Sequence, residues 1–280
     1  MKLAQLIAQT GEQEAVIQVL CYLLSVERTA VFLMPDIDDA IAERALSYIE
    51  RYKKGTPLAY MFGYAYFNNR KFLVNHSVLV PRHDTEILTE LAEKKIITDS
   101  MLGYPDRYYR VLDLCCGSGI IGVSLALLCN WLCEKDPSNH YLITASDISQ
   151  KALTVARSNA DFHEVDIQFI CSDLFENVRG CFDLIVCKPP YVRTFDIGVE
   201  DPSTLKEPRI ALDGGMDGLY YYRCIISQVR RHMNVDGMIM FEVGYDQAES
   251  VREIAENYGF TKIKIYKDLA NHDRVVTISL

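Results

Sequence analysis

In its second part, the chain alternates short apolar segments with helical stretches, and this alternation restricts the fold more than any other feature. The strand candidates, which begin after Tyr104–Pro105, are YRVLDLCC, YLITASDI, DIQFICSDL, FDLIVCK and GMIMFEVG. They are separated by helical stretches such as GIIGVSLALLCNWL and QKALTVARSNADFH. This order predicts an α/β fold with a parallel sheet. Two later segments, TKIKIYKD and DRVVTISL, have no helix between them, so we expect them to pair antiparallel at one edge of the sheet.

The first part of the chain shows helical periodicity instead. From about Gln13 to Tyr52 the apolar residues recur at helical spacing, and Asp36 or Asp38 is suited to cap the second helix. Alternating aromatic residues then flank Asn68–Asn69, a pair that tolerates positive φ and therefore indicates a hairpin. The chain accordingly divides into a helical domain, a hairpin connector and an α/β domain, at residues 1–58, 59–80 and 81–280.

Composition and charge limit the classes of function. A formal net charge of −9 over 280 residues disfavours a protein that mainly coats phosphate backbones, so a nucleic-acid partner is not expected. The nine cysteines include no CxxC pair and no histidine at ligand spacing, which favours reduced thiols over a metal site. No stretch approaches the roughly 20 apolar residues that span a bilayer. The start of the chain lacks a secretion signal, and we expect a cytoplasmic protein.

The first candidate site is the segment VLDLCCGSGIIGVSLAL. A strand that ends at Asp113–Leu114 runs into Gly117, Ser118 and Gly119 and then into a helix, which is the layout of a nucleotide-binding turn. Glycine lets the backbone approach a ligand closely, but any tight junction between strand and helix also favours glycine. The turn lacks the full G-x-G-x-x-G pattern that cradles a pyrophosphate, so a nucleoside that carries an amino acid suits it better.

Acidic residues end the next two strand candidates. Asp147 is suited to accept hydrogen bonds from two ribose hydroxyls, although it could instead cap the helix that starts near Ser149. Asp173 is suited to accept from the exocyclic amine of an adenine, with Leu174 and Phe175 near the ring. Together with the glycine turn, these residues predict a nucleoside pocket.

The combination of DLCCGSGIIGVSLA, SDIS, SDLFE and KPPYV resembles the class I S-adenosylmethionine-dependent methyltransferases. Nearly the whole chain, including GTPLAYMFGYAYF, VLVPRHDTE, EPRIALDGGMDGLYYYR and FEVGYDQ, resembles the HemK/PrmC family, which methylates the side-chain amide of glutamine in peptide chain release factors. This resemblance implies a Rossmann-like domain with a seven-stranded, mostly parallel sheet and an antiparallel edge strand, preceded by a small helical domain for substrate recognition. It also implies S-adenosyl-L-methionine as cofactor and S-adenosyl-L-homocysteine as product.

The resemblance also implies individual contacts to the cofactor. The glycine turn would pass under the methionine part, and the PRHDTE segment would sit over the cofactor from the connector. The implied cofactor-binding residues are Arg82, Thr85, Glu86, Asp113, Cys115, Gly117, Ser118, Gly119, Asp147, Ile148, Asp173, Leu174 and Lys188. An alternative for Arg82 and Glu86, which are four residues apart, is an exposed charge pair at the start of a helix.

At its catalytic strand end, the family has Asn-Pro-Pro-Tyr, whereas this sequence has Lys188, Pro189, Pro190 and Tyr191. In the family, the asparagine oxygen and the following proline carbonyl accept the two N–H groups of the substrate amide, which aims its nitrogen at the methyl group. A charged ammonium has three donors and no acceptor, so Lys188 cannot replace the asparagine oxygen.

This difference leaves three functions open. The first is methyl transfer to a nitrogen or oxygen of an altered, small-molecule acceptor, with Lys188 facing an anion or acting as a base. The second is release-factor methylation with Lys188 turned away to solvent, and the third is an inactive relative that acts as a binding module. A nicotinamide oxidoreductase would need the missing phosphate cradle, and a nucleic-acid methyltransferase would need a basic surface. We rank the small-molecule acceptor first.

Overall fold

The computed structural model describes residues 1–34, 36–103, 108–199 and 201–280. The change of pattern placed at Tyr104–Pro105 lies outside the described residues. The helices are α1 (Leu3–Thr10), α2 (Gln13–Leu24), α3 (Arg28–Leu33), α4 (Asp39–Lys53), α5 (Leu58–Phe62), α6 (Thr85–Leu102), α7 (Ile120–Lys135), α8 (Gln150–Phe162), α9 (Tyr220–Val229) and α10 (Ala248–Asn257). The strands are β1 (Tyr64–Phe67), β2 (Arg70–Leu73), β3 (Tyr109–Leu114), β4 (Tyr141–Asp147), β5 (Gln168–Cys171), β6 (Phe182–Cys187), β7 (Met233–Glu242), β8 (Lys262–Lys267) and β9 (Asp273–Ser279).

Helices α1 to α5 pack around a core of their own, in which Leu6, Val16, Leu20 and Ile49 are fully or almost fully buried. Asp38 caps α4, because its Oδ1 accepts hydrogen bonds from the backbone N–H groups of Ala40 and Ile41. The helical first part of the chain therefore folds as its periodicity indicates, whereas the boundary at residue 58 stays a prediction.

The sheet has the order β5-β4-β3-β6-β7-β9-β8. Strands β3 to β7 pair in parallel, and β9 pairs antiparallel with both β7 and β8. Helices α6, α7 and α8 cover one face and α9 and α10 the other, and each face has its own apolar core. The prediction of a seven-stranded, mostly parallel sheet with antiparallel pairing at one edge is confirmed.

Strand register brings several of the predicted site segments to one edge. Leu114, the last residue of β3, is opposite Ser146 of β4 on one side and Cys187 of β6 on the other. Cys187 in turn is opposite Phe241 of β7. Because the carboxyl ends of these parallel strands meet, the residues that follow them lie beside one another at the crevice where such sheets bind ligands.

The β1–β2 hairpin connects the two parts of the chain. Its turn is Asn68–Asn69, whose φ values of 46° and 58° confirm the conformation expected from the asparagine pair. The buried Asn159 of α8 joins the hairpin to the glycine turn: its amide donates to the carbonyls of Leu73 and Ser118, and its oxygen accepts from the N–H of Leu73. The connector is thereby fixed against the edge of the sheet that carries the candidate site.

All nine cysteines are free thiols. Within the described residues, no group of three or more His, Cys, Asp or Glu side chains is arranged to hold a metal ion. In the same parts of the chain, no helix combines the length and apolar character needed to cross a membrane.

Candidate active site

A cavity opens where the carboxyl ends of β3, β4, β5 and β6 meet the connector. Its lining comes from several segments that are far apart in the sequence. They are residues 77–82 with Thr85, residues 114–118 with Ile120 and Ile121, residues 146–149 with Ala152, residues 172–174, and Lys188 with Pro190, Ile210, Ala211 and Tyr221. Of the sequence-predicted cofactor residues, the structure brings ten into this lining: Arg82, Thr85, Cys115, Gly117, Ser118, Asp147, Ile148, Asp173, Leu174 and Lys188.

The glycine turn and Asp147 form one hydrogen-bonded unit on the cavity floor. Asp147 Oδ2 accepts from the N–H of Gly117 at 2.9 Å, and Oδ1 accepts from the N–H of Ser149 at 2.8 Å. A Cβ on Gly117, whose φ is 55°, would meet no atom within 4 Å, so this side of the turn is open. The alternative that Asp147 caps α8 is wrong, because Ser149 is the cap and its Oγ accepts from Ala152.

Two lining residues are in strained backbone conformations. Cys115 has a φ of 63° and Leu174 a φ of 43°, both in the left-handed region that non-glycine residues rarely adopt. Most of the other non-glycine residues with positive φ, such as Asn68 and Asn69, belong to turns or helix ends. Strain of this kind clusters at functional sites, because the surrounding structure must hold it in place.

The cavity fits S-adenosylmethionine. Asp147 and Asp173 provide carboxylates for hydroxyl and amine donors, and Ile148 and Leu174 provide apolar surface for a base. Thr85 Oγ1 and Ser146 Oγ are buried polar atoms of the lining that have no hydrogen-bond partner among the described residues. Because buried hydroxyls are normally paired, these two are suited to polar atoms of a bound ligand.

Four of the residues predicted to lie at the cofactor do not reach the cavity, and neither do Pro189 and Tyr191 of the predicted catalytic segment. Asp113 is fully buried beneath the floor, where its Oδ2 accepts from the N–H of Gly122 at 2.8 Å. Gly119 packs against α8, and a Cβ there would come within 3.0 Å of Ala156. Glu86 instead accepts from the N–H of Asn68 in the hairpin turn. Phe175 stacks on His232 in the core, so it does not accompany Leu174 at the ring.

Arg82 and Glu86 also fail to form the exposed charge pair that was the alternative for them. Arg82 instead donates two hydrogen bonds, at 2.9 and 3.1 Å, to the carboxylate of Glu207, whose side chain is fully buried. Burial raises the pKa of Glu207, and Arg82 lowers it. This pair attaches the segment after β6 to the connector above the cavity.

The buried Asp113 should make stability depend on pH. Burial raises its pKa to about 7, so the folded chain keeps a proton that the unfolded chain loses near pH 4. The stabilisation is therefore complete below about pH 4 and is lost as the pH rises through about 7. In chemical denaturation from about pH 4 to pH 8, the free energy of unfolding of wild type, relative to Asp113→Asn, should fall by on the order of 2–4 kcal/mol. If the free energies of unfolding of the two proteins changed with pH in parallel, the raised pKa of Asp113 would be contradicted.

At its strand end, Lys188 is neither a free ammonium facing the cavity nor a side chain turned away to solvent. Lys188 lines the cavity and its side chain is 14% exposed, so it does not turn away to solvent. Its Nζ forms an ion pair with Glu242 Oε1 at the end of β7. Tyr191 completes the group: its hydroxyl donates to the same Oε1 at 3.0 Å and lies 3.4 Å from Lys188 Nζ. Burial lowers the pKa of Lys188, and Tyr191 opposes this shift.

Tyr191 is fixed from two further directions. Its carbonyl accepts from Gln247 Nε2 at 2.9 Å, and the following residue, Val192, exchanges backbone hydrogen bonds with the segment at Leu212 and Gly214. Tyr191 itself lines a second cavity, together with the following residues Val192 and Arg193. Pro189 and Pro190 are both buried. The KPPY segment thus contributes to two cavities, with Lys188 and Pro190 in the cofactor cavity and Tyr191 in the second one.

The sequence interpretation missed several residues of the site. The most important are Glu242 and Glu207, which hold Lys188 and Arg82, and Tyr221, which lines the cavity from α9. Glu242 lies in FEVGYDQ and Glu207 in EPRIALDGG, segments that the family resemblance includes without a role for either carboxylate. Sequence position at the end of a buried strand was the available signal for Glu242.

Comparison with known proteins agrees with this geometry. The family model described as Methyltransferase small domain matches residues 98–200. A release factor glutamine methyltransferase of Thermodesulfovibrio yellowstonii is 34% identical over 267 residues, which cover 93% of this chain and 90% of that protein. Another, of Clostridium acetobutylicum, is 36% identical over 267 residues, which cover 92% of this chain and 87% of that protein. The solved structure of the hMettl16 catalytic domain has a TM-score of 0.56 at 14% identity, with 86% of this chain and 82% of that chain covered.

The sheet order, the cavity at the strand ends and these matches define a class I methyltransferase that uses S-adenosylmethionine as cofactor. The identities of 34% and 36% over most of both chains narrow the assignment from this class to one family. The chain belongs to the family of release factor glutamine methyltransferases, which confirms the resemblance seen in the sequence.

Proposed function

We propose that this protein transfers the methyl group of S-adenosylmethionine to the side-chain amide nitrogen of glutamine in a peptide chain release factor. Two relatives that match most of the chain are named for this activity. The observation that carries the proposal is the ion pair between Lys188 and the buried Glu242. It weighs against the ranking that placed a small-molecule acceptor first, because that ranking had the charge of Lys188 facing the acceptor, whereas here the ammonium is paired with a carboxylate.

The pair changes what an acceptor would meet at this strand end. A free ammonium would place a full positive charge beside a nitrogen that itself gains positive character as it is methylated. With Glu242 in contact, Lys188 belongs to a pair without net charge, and at least one of its donors is already used. A neutral amide is therefore compatible with the site, although the acceptor that an asparagine would provide is still missing.

The backbone and the shape of the KPPY segment must therefore orient the substrate amide. An amide nitrogen reacts only when its hydrogens are held so that the lone pair points at the methyl group. The Pro189 carbonyl is the proposed acceptor for one of these hydrogens, and Pro190 and Tyr191 hold it in a buried, rigid segment. The bound cofactor supplies a methyl group on a sulfonium. Transfer of this methyl group would break the carbon–sulfur bond with its electrons left on sulfur, and the amide nitrogen would lose one proton to water.

Methyl transfer to a purified release factor tests the proposal. With labelled cofactor, the wild-type enzyme should label the glutamine of the Gly-Gly-Gln loop. It should label a Gln→Asn variant of the factor at least 100-fold more slowly, because the shortened side chain withdraws the amide by one methylene. Absence of label from the wild-type factor, in an enzyme that still binds cofactor, would overturn the proposal and favour the altered, small-molecule acceptor. Absence of both labelling and cofactor binding would favour the inactive relative that acts as a binding module.

A further inference from the structure

Glu242 is a buried carboxylate with an unusual combination of contacts. Its side chain is completely inaccessible, yet Oε1 receives both Lys188 Nζ and the hydroxyl of Tyr191. Oε2 is buried without a hydrogen-bond partner among the described residues. A buried ion pair contributes little to stability compared with apolar side chains of the same volume. The pair therefore needs another explanation.

The other cations near this end of the sheet each have carboxylate partners. Arg82 binds Glu207, and Arg274 binds Asp84 and Asp268. In the described parts of the chain, Glu242 is the one carboxylate within ion-pair distance of Lys188. Removal of its charge would leave an ammonium, buried at the cavity wall, with only the neutral Tyr191 hydroxyl beside it.

Because the cofactor is charged, an unpaired Lys188 would affect its binding. S-adenosylmethionine carries a positive sulfonium, whereas S-adenosylhomocysteine has a neutral thioether, and the two are otherwise nearly the same size. An uncompensated cation at the wall of a partly dehydrated cavity repels a bound sulfonium strongly, because the effective dielectric constant there is well below that of water. The same cation leaves the thioether almost unaffected.

We propose that Glu242 is a positioning residue that cancels the charge of Lys188, and that this cancellation lets the cavity bind the positively charged cofactor without an electrostatic penalty relative to its neutral product. The inference depends only on the cofactor and not on the identity of the methyl acceptor. It can therefore stand or fall independently of release-factor methylation.

Calorimetric titration of the full-length chain with each ligand tests the proposal. Glu242→Gln keeps the size and a hydrogen-bonding oxygen but removes the charge. We expect the dissociation constant for S-adenosylmethionine to rise about tenfold or more, and that for S-adenosylhomocysteine to change less than about twofold. The double variant Lys188→Met with Glu242→Gln removes both charges, and we expect it to restore the wild-type ratio of the two constants.

A matched control is Asp183→Asn. Asp183 is another buried carboxylate of the same sheet, but it lies at the opposite end of β6, where it accepts from the N–H of Arg110 and from Asn234. We expect its variant to bind both ligands with an unchanged ratio. An equal loss of both ligands in Glu242→Gln, a double variant that still discriminates against the sulfonium, or a changed ratio in the control would each overturn the proposal.

The single variant Lys188→Met keeps the test decisive if Glu242→Gln does not fold. It removes the cation and leaves the carboxylate, so the affinity for S-adenosylmethionine relative to that for S-adenosylhomocysteine must stay the same or increase. A relative affinity that falls in this variant would show that the cation is not what Glu242 offsets.

Discussion

Replacement of Asp147 by alanine should weaken the binding of S-adenosylmethionine by about 100-fold or more. We expect its carboxylate to accept the two ribose hydroxyls, and a hydrogen bond to a charged group contributes roughly 1.5–3 kcal/mol. The same carboxylate holds the N–H groups of Gly117 and Ser149, so its loss also releases the glycine turn under the cofactor. Isothermal titration of wild type and variant measures the effect directly.

Asp136→Ala is the matched control for this experiment. Asp136, which follows α7, also accepts from the N–H two residues later, Ser138, at 3.0 Å, but it is exposed and outside the cavity lining. Its removal should leave cofactor affinity within about twofold of wild type. An Asp147→Ala protein that folds and binds cofactor with wild-type affinity would refute the assignment of Asp147 to the ribose.

Replacement of Gly214 by alanine should reduce turnover by about 100-fold while cofactor binding changes far less. A Cβ at Gly214 would come within 2.7 Å of Tyr191 Cα and 2.9 Å of the Pro190 carbonyl oxygen. Because these are backbone atoms, the pairing between Gly214 and the Pro190–Tyr191 segment must shift. A displacement of about 1 Å at the reacting groups commonly costs two orders of magnitude in rate. Steady-state kinetics with a release factor, together with cofactor titration, separates the two effects.

Gly237→Ala is the comparison variant. A Cβ there would come as close to backbone, 2.9 Å from Asn234 and from the Phe182 carbonyl oxygen, but at the amino end of β6, away from both cavities. We expect it to lower the thermal midpoint while the folded enzyme keeps its turnover. Similar turnover losses in the two variants would mean that general destabilisation explains the result at Gly214.

Much of the fold could be predicted because it depends on local patterns. Alternating apolar segments and helical stretches predict the strands of the sheet, and the asparagine pair and Asp38 predict a hairpin and a helix cap that the structure contains. The residues that end parallel strands share one edge by geometry, so Asp147, Asp173 and Lys188 could be placed together before any coordinates were known.

Side-chain direction was less predictable at the same edge. Asp113 and Gly119 belong to the glycine-turn motif, but the first points beneath the floor and the second packs against Ala156. Glu86 is four residues from Arg82 on the chain, yet it serves the hairpin turn. A motif identifies the segment at a site, whereas packing decides which of its side chains face the ligand.

The sequence by itself determined the α/β fold, a nucleoside pocket and the segments that form the cavity, since these follow from short-range patterns and from strand ends, and its resemblance to a known family implied the cofactor. The tertiary structure alone decided which charged groups beside the cavity are paired with one another. Lys188 meets Glu242 across 54 residues and Arg82 meets Glu207 across 125, in a chain with 38 acidic residues. A sequence does not specify which carboxylate neutralises which cation, because that choice depends on strand register and on burial, which raises the cost of leaving either charge unpaired.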